Sequence, residues 1–488
     1  MESGQMLLGV PREVNAFFVP AVRTAPQPIR RALAPMVLAF LLAPHYRRLK
    51  TIAGMVAGHR VHVATISRRL VNPRWKTRDF HVSLYERHWR DTDRWERRMR
   101  GGQKRHWCIV IDTTYHRSVG HCMENMIVMS RRSDPRRRSK RQHAFLMGMI
   151  LTDRGGRIPL PRRSYYTKAY CEAKGKKYRT LNQLAAVMLK EVSVPKDVTV
   201  TVTFDSAFDA QGIHRVCKNR GFREVFPLDP NRNLSASEDA EGPAIPDRRV
   251  VAWTRSWDCK EFELIELQVE NEDFVYFRRR HVDNLRVKKT RRRYAVAARR
   301  ATVSRLGECL IVASYKENEK VKLLPGQSAS WQAYHAGPVV HRKKSKKVPS
   351  RWHGKVLACT DPQLTAREVI QLYEVRWQVE LLFRELKSRM QLGCYVLMKF
   401  EAVERYIDFL LMGLLLLEHQ RLNNMKRNGK PSKRAGEPWV QARVTDQLRL
   451  LEGIANEWNV RQIEAEVKTK AGLKRLLRTL RQSPCRVA

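Results

Sequence analysis

The sequence predicts a mixed α/β protein, and three segments carry that prediction. Residues 106–112, HWCIVID, are a short apolar run closing on an acid, as a central strand buried on both faces would be. Residues 198–205, VTVTVTFD, alternate strictly, which sets Val198, Val200, Val202 and Phe204 on one face and Thr199, Thr201, Thr203 and Asp205 on the other. Leu372 to Gly393, LYEVRWQVELLFRELKSRMQLG, has helical periodicity instead. Asp112 and Asp205 are therefore expected at strand ends, and a charged stripe on a helix.

On that helix, at ~100° per residue, Tyr373, Arg376, Glu380 and Lys387 fall at about 0°, −60°, −20° and −40°, inside one stripe. Leu372, Val375, Val379, Leu382, Phe383, Leu386 and Met390 form an apolar side that can pack while the stripe faces something polar. A single Glu/Arg pair here would be read as a surface salt bridge. Four residues in this spacing rarely coincide by chance, and one acid among an aromatic ring and two cations points to an anionic ligand.

The pattern Y-x-x-R-x-x-x-E, then six residues and K, within YEVRWQVELLFRELK, resembles the signature of the insertion-sequence-four group of bacterial DDE transposases. The resemblance implies that Glu380 is the third catalytic carboxylate and that Tyr373, Arg376 and Lys387 handle DNA beside the cut phosphate. It demands two upstream aspartates at strand ends, and Asp112 and Asp205 fill those places. Ser206-Ala207-Phe208-Asp209, Gly221-Phe222 and Val225-Phe226-Pro227-Leu228 also look like the family's segment after the second aspartate. An RNase-H-like catalytic core is implied as well.

The chemistry explains the three acids. Phosphodiester cleavage with two divalent cations ~4 Å apart needs oxygen ligands able to bridge or flank both ions, and hard cations such as Mg²⁺ prefer carboxylates. Asp112, Asp205 and Glu380 are the expected ligands of two Mg²⁺ ions, with Mn²⁺ expected to substitute. No G-x-x-x-x-G-K-S/T motif occurs, so nucleotide hydrolysis has no support.

Composition agrees with a polyanionic substrate: 94 Lys plus Arg against 48 Asp plus Glu leave a formal charge of +46 over 488 residues. Such a field favours nonspecific, salt-dependent binding to nucleic acid but carries no sequence specificity. The excess is spread along the chain, with runs at residues 131–141, 278–293 and 341–347. Nine cysteines are scattered without a C-x-x-C pair, so neither a disulfide framework nor a zinc module is indicated, and reduced thiols in a cytoplasm are the simplest account. The N-terminus lacks signal-peptide regions, and Ile407 to Leu417, too short to span a bilayer, reads as a buried helix.

Five regions are expected. Residues 1–100 form a helical DNA-binding domain, in which Arg47 to Val71 either is a helix-turn-helix that places Arg68 and Arg69 near DNA or is an ordinary helical hairpin with a basic face. Trp75, Trp89 and Trp95 follow it among cations, where core packing and base stacking look alike. Residues 101–228 begin the RNase-H-like core, and residues 351–425 complete it with the catalytic helix. Between them the chain is much longer than a compact core needs, so residues 229–350 are an insertion. Val250 to Arg279 and Arg293 to Tyr315 make it β-rich, and Lys355 to Asp361 return toward the helix. Residues 426–488 are a basic C-terminal region.

By resemblance, the expected protein is a DNA transposase of the bacterial cytoplasm, associated with the nucleoid. It would cleave transposon ends and join them to target DNA, as a homodimer on double-stranded DNA. A DNA-binding derivative without activity, or a nuclease of the same fold without strand transfer, remains open at this point.

Overall fold

The computed structural model describes residues 10–42, 49–53, 62–100, 104–117, 122–129, 140–235, 249–272, 287–316, 354–427 and 459–481, apart from isolated positions within these stretches. The segments 131–139, 278–286 and 341–347, which hold most of the basic runs, lie outside the described residues.

One mixed sheet of eleven strands organises the described chain. Its members are β1 (Arg105–Arg117), β2 (Ile127–Met129), β3 (Lys140–Thr152), β4 (Arg157–Pro159), β5 (Arg163–Ser164), β6 (Val198–Thr203), β7 (Arg223–Pro227), β8 (Glu263–Glu272), β9 (Val287–Val303), β10 (Gly307–Lys316) and β11 (Gly354–Cys359). The order is β2-β3-β1-β6-β7-β11-β10-β9-β8, with β4 and β5 added on β3. β1, β6 and β7 run parallel, and the other pairings are antiparallel. This large mixed sheet with flanking helices is consistent with an RNase-H-like transposase domain. The strands expected in the long interval do not close on themselves: β8, β9 and β10 continue the same sheet through β11.

Three local expectations need correction. Asp112 is not at a strand end, because β1 runs on to Arg117 and pairs with β3 from Trp107 to Arg117, Asp112 opposite Met147. The polar half of β1, DTTYHR, hides a strand that its neighbour stabilises. Over the second half of β6 both faces are covered, with Thr201 and Thr203 as buried as Val202, while Thr199 stays exposed. The hydroxyl of Thr201 is matched inside the protein by the His106 ring at 2.8 Å, which offsets the cost of burying that side chain. Residues Val250–Arg255, expected as strand, form a short helix whose Trp253 meets the following Trp257 edge to face.

The N-terminal helices α1 (Arg12–Val22), α2 (Gln27–Leu42), α3 (Leu49–Ile52), α4 (Val63–Val71) and α5 (Thr77–Arg100) gather about a long helix, Phe400–Arg427. Phe40 stacks on Phe409 at 5.1 Å, and Trp75 lies 6.0 Å from the same ring. Gly413 admits Leu41, whose Cδ2 would stand 2.5 Å from an added Cβ. The first hundred residues thus share a core with the rest of the chain. α4 turns Ile66 and Leu70 into that core, lays Arg69 over Trp75 and leaves Arg68 exposed. Trp89 packs near Trp107 and donates its Nε1–H to the Ser193 carbonyl at 2.9 Å.

Candidate active site

The sheet itself aligns the two aspartates. Parallel pairing of β1 with β6 ends at Val110 opposite Thr203, so two residues further on Asp112 and Asp205 leave neighbouring strands in the same direction. Asp112 remains on its strand, half-buried, with Oδ1 accepting the Thr113 N–H at 2.6 Å. Asp205 is exposed and caps a single 3₁₀ turn, Ser206–Phe208, by accepting the Ser206 N–H at 2.8 Å.

The third acid arrives on a broken helix. After α6 (Lys168–Lys174), α7 (Leu181–Glu191), α8 (Gln211–Asn219) and α9 (Val250–Arg255) come α10 (Ala366–Glu374) and α11 (Trp377–Arg384), in place of the one continuous helix expected from residue 372 onward. At the break Arg376, Gln378 and Val379 donate to carbonyls three residues back, at 3.0, 2.9 and 3.1 Å, a tighter turn than the α-helix makes. The cause lies in packing. Val369, Ile370, Leu372 and Tyr373 belong to a core over β7, β9, β10 and β11, whereas Val379, Leu382, Phe383 and Leu386 belong to the main core beside β1. A straight helix cannot serve both. Leu386 and Lys387 then lie in a wider π-type turn.

The break brings Arg376 inward. Its guanidinium holds Glu380 Oε1 at 2.5 Å and stands 4.0 Å from Asp112 Oδ2, and it lies over the Tyr373 ring at 5.6 Å. Tyr373 is buried between two cations rather than presented on a face: Lys355 covers its ring at 5.0 Å and reaches its hydroxyl at 3.4 Å. Lys387 is exposed at the far side; partial burial lowers its ammonium below the usual lysine value, and the nearby Asp112 carboxylate opposes the fall. The same lysine and burial push the His116 ring down to about 3.

The electrostatics link all three acids. Burial pushes the Asp112 carboxyl up to about 6, the charges of Asp205 and Glu380 add to the rise, and the Thr113 N–H and Arg376 oppose it. Arg376 feels Glu380 and Asp205 in turn. The donor set, carboxylate oxygens carrying surplus negative charge, suits a hard divalent cation. As folded, Arg376 supplies the positive charge between Asp112 and Glu380, and among the described residues no three acid, histidine or cysteine side chains close into one metal-binding group.

Two features here escape sequence reading. Lys355 shows no signal beyond its place at the start of β11. Asp209, His214 and Glu224 form a buried charged chain beneath the Asp205 turn, and only the resemblance of residues 206–209 hinted that this segment matters.

The described chain thus holds Asp112 on β1, Asp205 just past the end of the neighbouring β6, and Glu380 on a helix beside them. The chain matches the family model described as Transposase DDE domain over residues 172–416, about half its length, and belongs to that family. The matched stretch spans β6 to β11 and includes Asp205, Tyr373, Arg376, Glu380 and Lys387; Asp112 precedes it. No curated protein matches the chain. Membership implies a DNA-binding enzyme of the nuclease and transposase kind. Among the described residues no helix is long and apolar enough to cross a membrane.

Proposed function

We propose that this protein is an insertion-sequence transposase of the insertion-sequence-four group, which cuts the ends of its own element and joins them to target DNA as a dimer in the bacterial cytoplasm. Asp112, Asp205 and Glu380 would hold two Mg²⁺ ions, which when bound activate the attacking oxygen and stabilise the leaving one. The observation that carries this reading is the meeting of three acids from distant segments in one electrostatic neighbourhood around Arg376, in a chain of the DDE family.

The chain's own residues supply the rest. Arg376 can exchange its carboxylate partners for a phosphate, offering two N–H groups in a fixed fork. Tyr373 lies against that guanidinium, with Lys355 on the tyrosine's ring and hydroxyl. Lys387 adds a point charge on the Asp112 side, where it steadies a backbone phosphate without being a ligand. The N-terminal helices and the basic C-terminal region are the proposed contacts outside the site.

The test is a plasmid carrying the genomic DNA that flanks the gene, incubated with the protein and Mg²⁺. Cleavage at the element boundaries with joined products is the expected result. Cleavage without joining would make the protein a nuclease, and binding without cleavage a DNA-binding derivative.

A further inference from the structure

Beneath the turn that carries Asp205 lies a buried chain of charge that the cleavage chemistry does not use. The His214 ring on α8 stands between two carboxylates: Nε2 is 2.9 Å from Asp209 Oδ1 and Nδ1 is 2.8 Å from Glu224 Oε1. All three side chains are almost wholly enclosed, with exposures of 6%, 1% and 3% for His214, Asp209 and Glu224. Asp209 also accepts from Arg232, whose Nε is 3.2 Å from Oδ2, and from the Asp229 N–H at 3.2 Å. Glu224 on β7 is fixed by its own N–H, which donates to the Thr360 hydroxyl at 2.9 Å, and it accepts from Cys217. The faces of the ring meet Phe204 and Phe226.

Carboxylates only accept, so each ring nitrogen must bring a proton to its partner. A neutral imidazole has one N–H and would turn a lone pair toward the other carboxylate. With both carboxylates ionised, the two contacts together therefore require the imidazolium, one cation between two anions. Asp209 is also the residue where the Asp205 turn ends: its N–H donates to Ser206 at 3.0 Å, and the Phe208 N–H donates to the Asp205 carbonyl at 2.9 Å. The bridge thus pins one end of a turn whose other end is Asp205.

We propose that His214 is a positioning residue for Asp205, a protonated bridge from β7 to Asp209 that fixes the turn bearing the second acid. The inference rests on the proposed cleavage function for its kinetic consequence, but the bridge is a claim about the protein alone. Displacing a reacting group by about 1 Å costs roughly 10²-fold in rate. His214→Gln, whose amide can donate to one carboxylate but turns a carbonyl toward the other, is expected to lose that much cleavage at every pH with binding to the flanking DNA retained.

Glu224→Gln supplies a sign that a purely structural role would not. Its amide can donate to Nδ1 while Nε2–H still donates to Asp209, so a neutral imidazole is fully matched. The wild type should lose cleavage on the alkaline side as the imidazolium deprotonates, and Glu224→Gln should lack that limb. In ¹⁵N spectra of histidine-labelled protein at neutral pH, both His214 nitrogens should be protonated in the wild type and only one in Glu224→Gln. A wild-type ring with one bare nitrogen, the same alkaline limb in Glu224→Gln, or wild-type cleavage in His214→Gln would overturn the proposal. If the wild type fails to cut the plasmid at all, the functional reading falls while the ¹⁵N spectra still decide the bridge.

Discussion

Asp112 and Asp205 emerge side by side but are held by different means. Asp112 sits on a long strand that β3 pairs from Trp107 to Arg117, with Ile111 and Thr114 buried on either side of it in the chain. Asp205 sits past the end of its strand on one 3₁₀ turn, held from below by the His214 chain. The first acid is placed by a ladder of neutral hydrogen bonds, the second by buried charges. A ladder tolerates pH and resists deformation, whereas a charged bridge depends on a proton, so the two halves of one site should fail under different conditions.

The largest expected effect ignores that difference. Asp112→Asn and Asp205→Asn should each lower cleavage by roughly 10³-fold while DNA binding survives, because the proposed metal ligation would be lost and phosphate contacts elsewhere would not. Cleavage and binding assays on the same plasmid check this. An Asn variant that cuts at the wild-type rate would remove that acid from the site.

Changing pH should separate the two halves. Burial pushes His106 and His116, both on β1, down to about 3, with Arg223 adding to the fall at His106 and Lys387 at His116. Each stays neutral in the fold but binds a proton when unfolded, so the stability it contributes is complete above its ordinary value of 6.5 and falls as pH drops toward 3. The slope is at most about 1.4 kcal/mol per pH unit for each ring. Asp112, pushed up to about 6, has the opposite sign and offsets part of this, but His81 and His419, also held near 3, share the sign of the β1 pair. His214 is shifted the other way: its two carboxylates raise it against burial, so its contribution is present below 6.5 and lost as pH rises through its folded value. Urea midpoints measured from acid to alkaline pH should fall on both sides, and a flat profile below neutrality would contradict the buried-neutral assignment.

A steric change sharpens the comparison on the strand side. Gly148 on β3 lies opposite Ile111, and an added Cβ would stand 2.9 Å from the Val110 carbonyl oxygen and 3.0 Å from Ile111 Cγ2. Gly148→Ala should cost about 1–3 kcal/mol by overpacking, read from thermal or urea unfolding, without changing the pH profile of cleavage. The smallest effect is expected at Lys387. Its replacement by Ala should lower the salt slope of DNA binding by up to about one and slow cleavage without abolishing it. An unchanged slope would mean that the lysine touches no phosphate.

The sequence made some of this geometry visible and hid the rest for physical reasons. The alternation of residues 198–205 located β6 and the exit of Asp205, and the seven apolar positions from Leu372 to Met390 are all buried as their spacing implied. The break at Val375 and Arg376 has no local mark, since neither Gly nor Pro stands there. It arises because the two halves of the segment pack on different cores, which is a tertiary fact. The polar half of β1 was hidden because its partner β3 lies across the basic segment 131–139 in the chain. The His214 chain joins residues 209, 214, 224 and 232, which no motif spacing ties together.

The central claim is that Asp112, Asp205 and Glu380 act as one metal-holding set despite their different supports. Mn²⁺ binding followed by electron paramagnetic resonance, with the wild type and with Asp112→Asn, Asp205→Asn and Glu380→Gln, tests it most directly. Each substitution should weaken Mn²⁺ binding by about tenfold or more, since each removes a charged oxygen ligand from a shared pair of ions. Wild-type affinity in any one of the three would show that the acids do not form a single site.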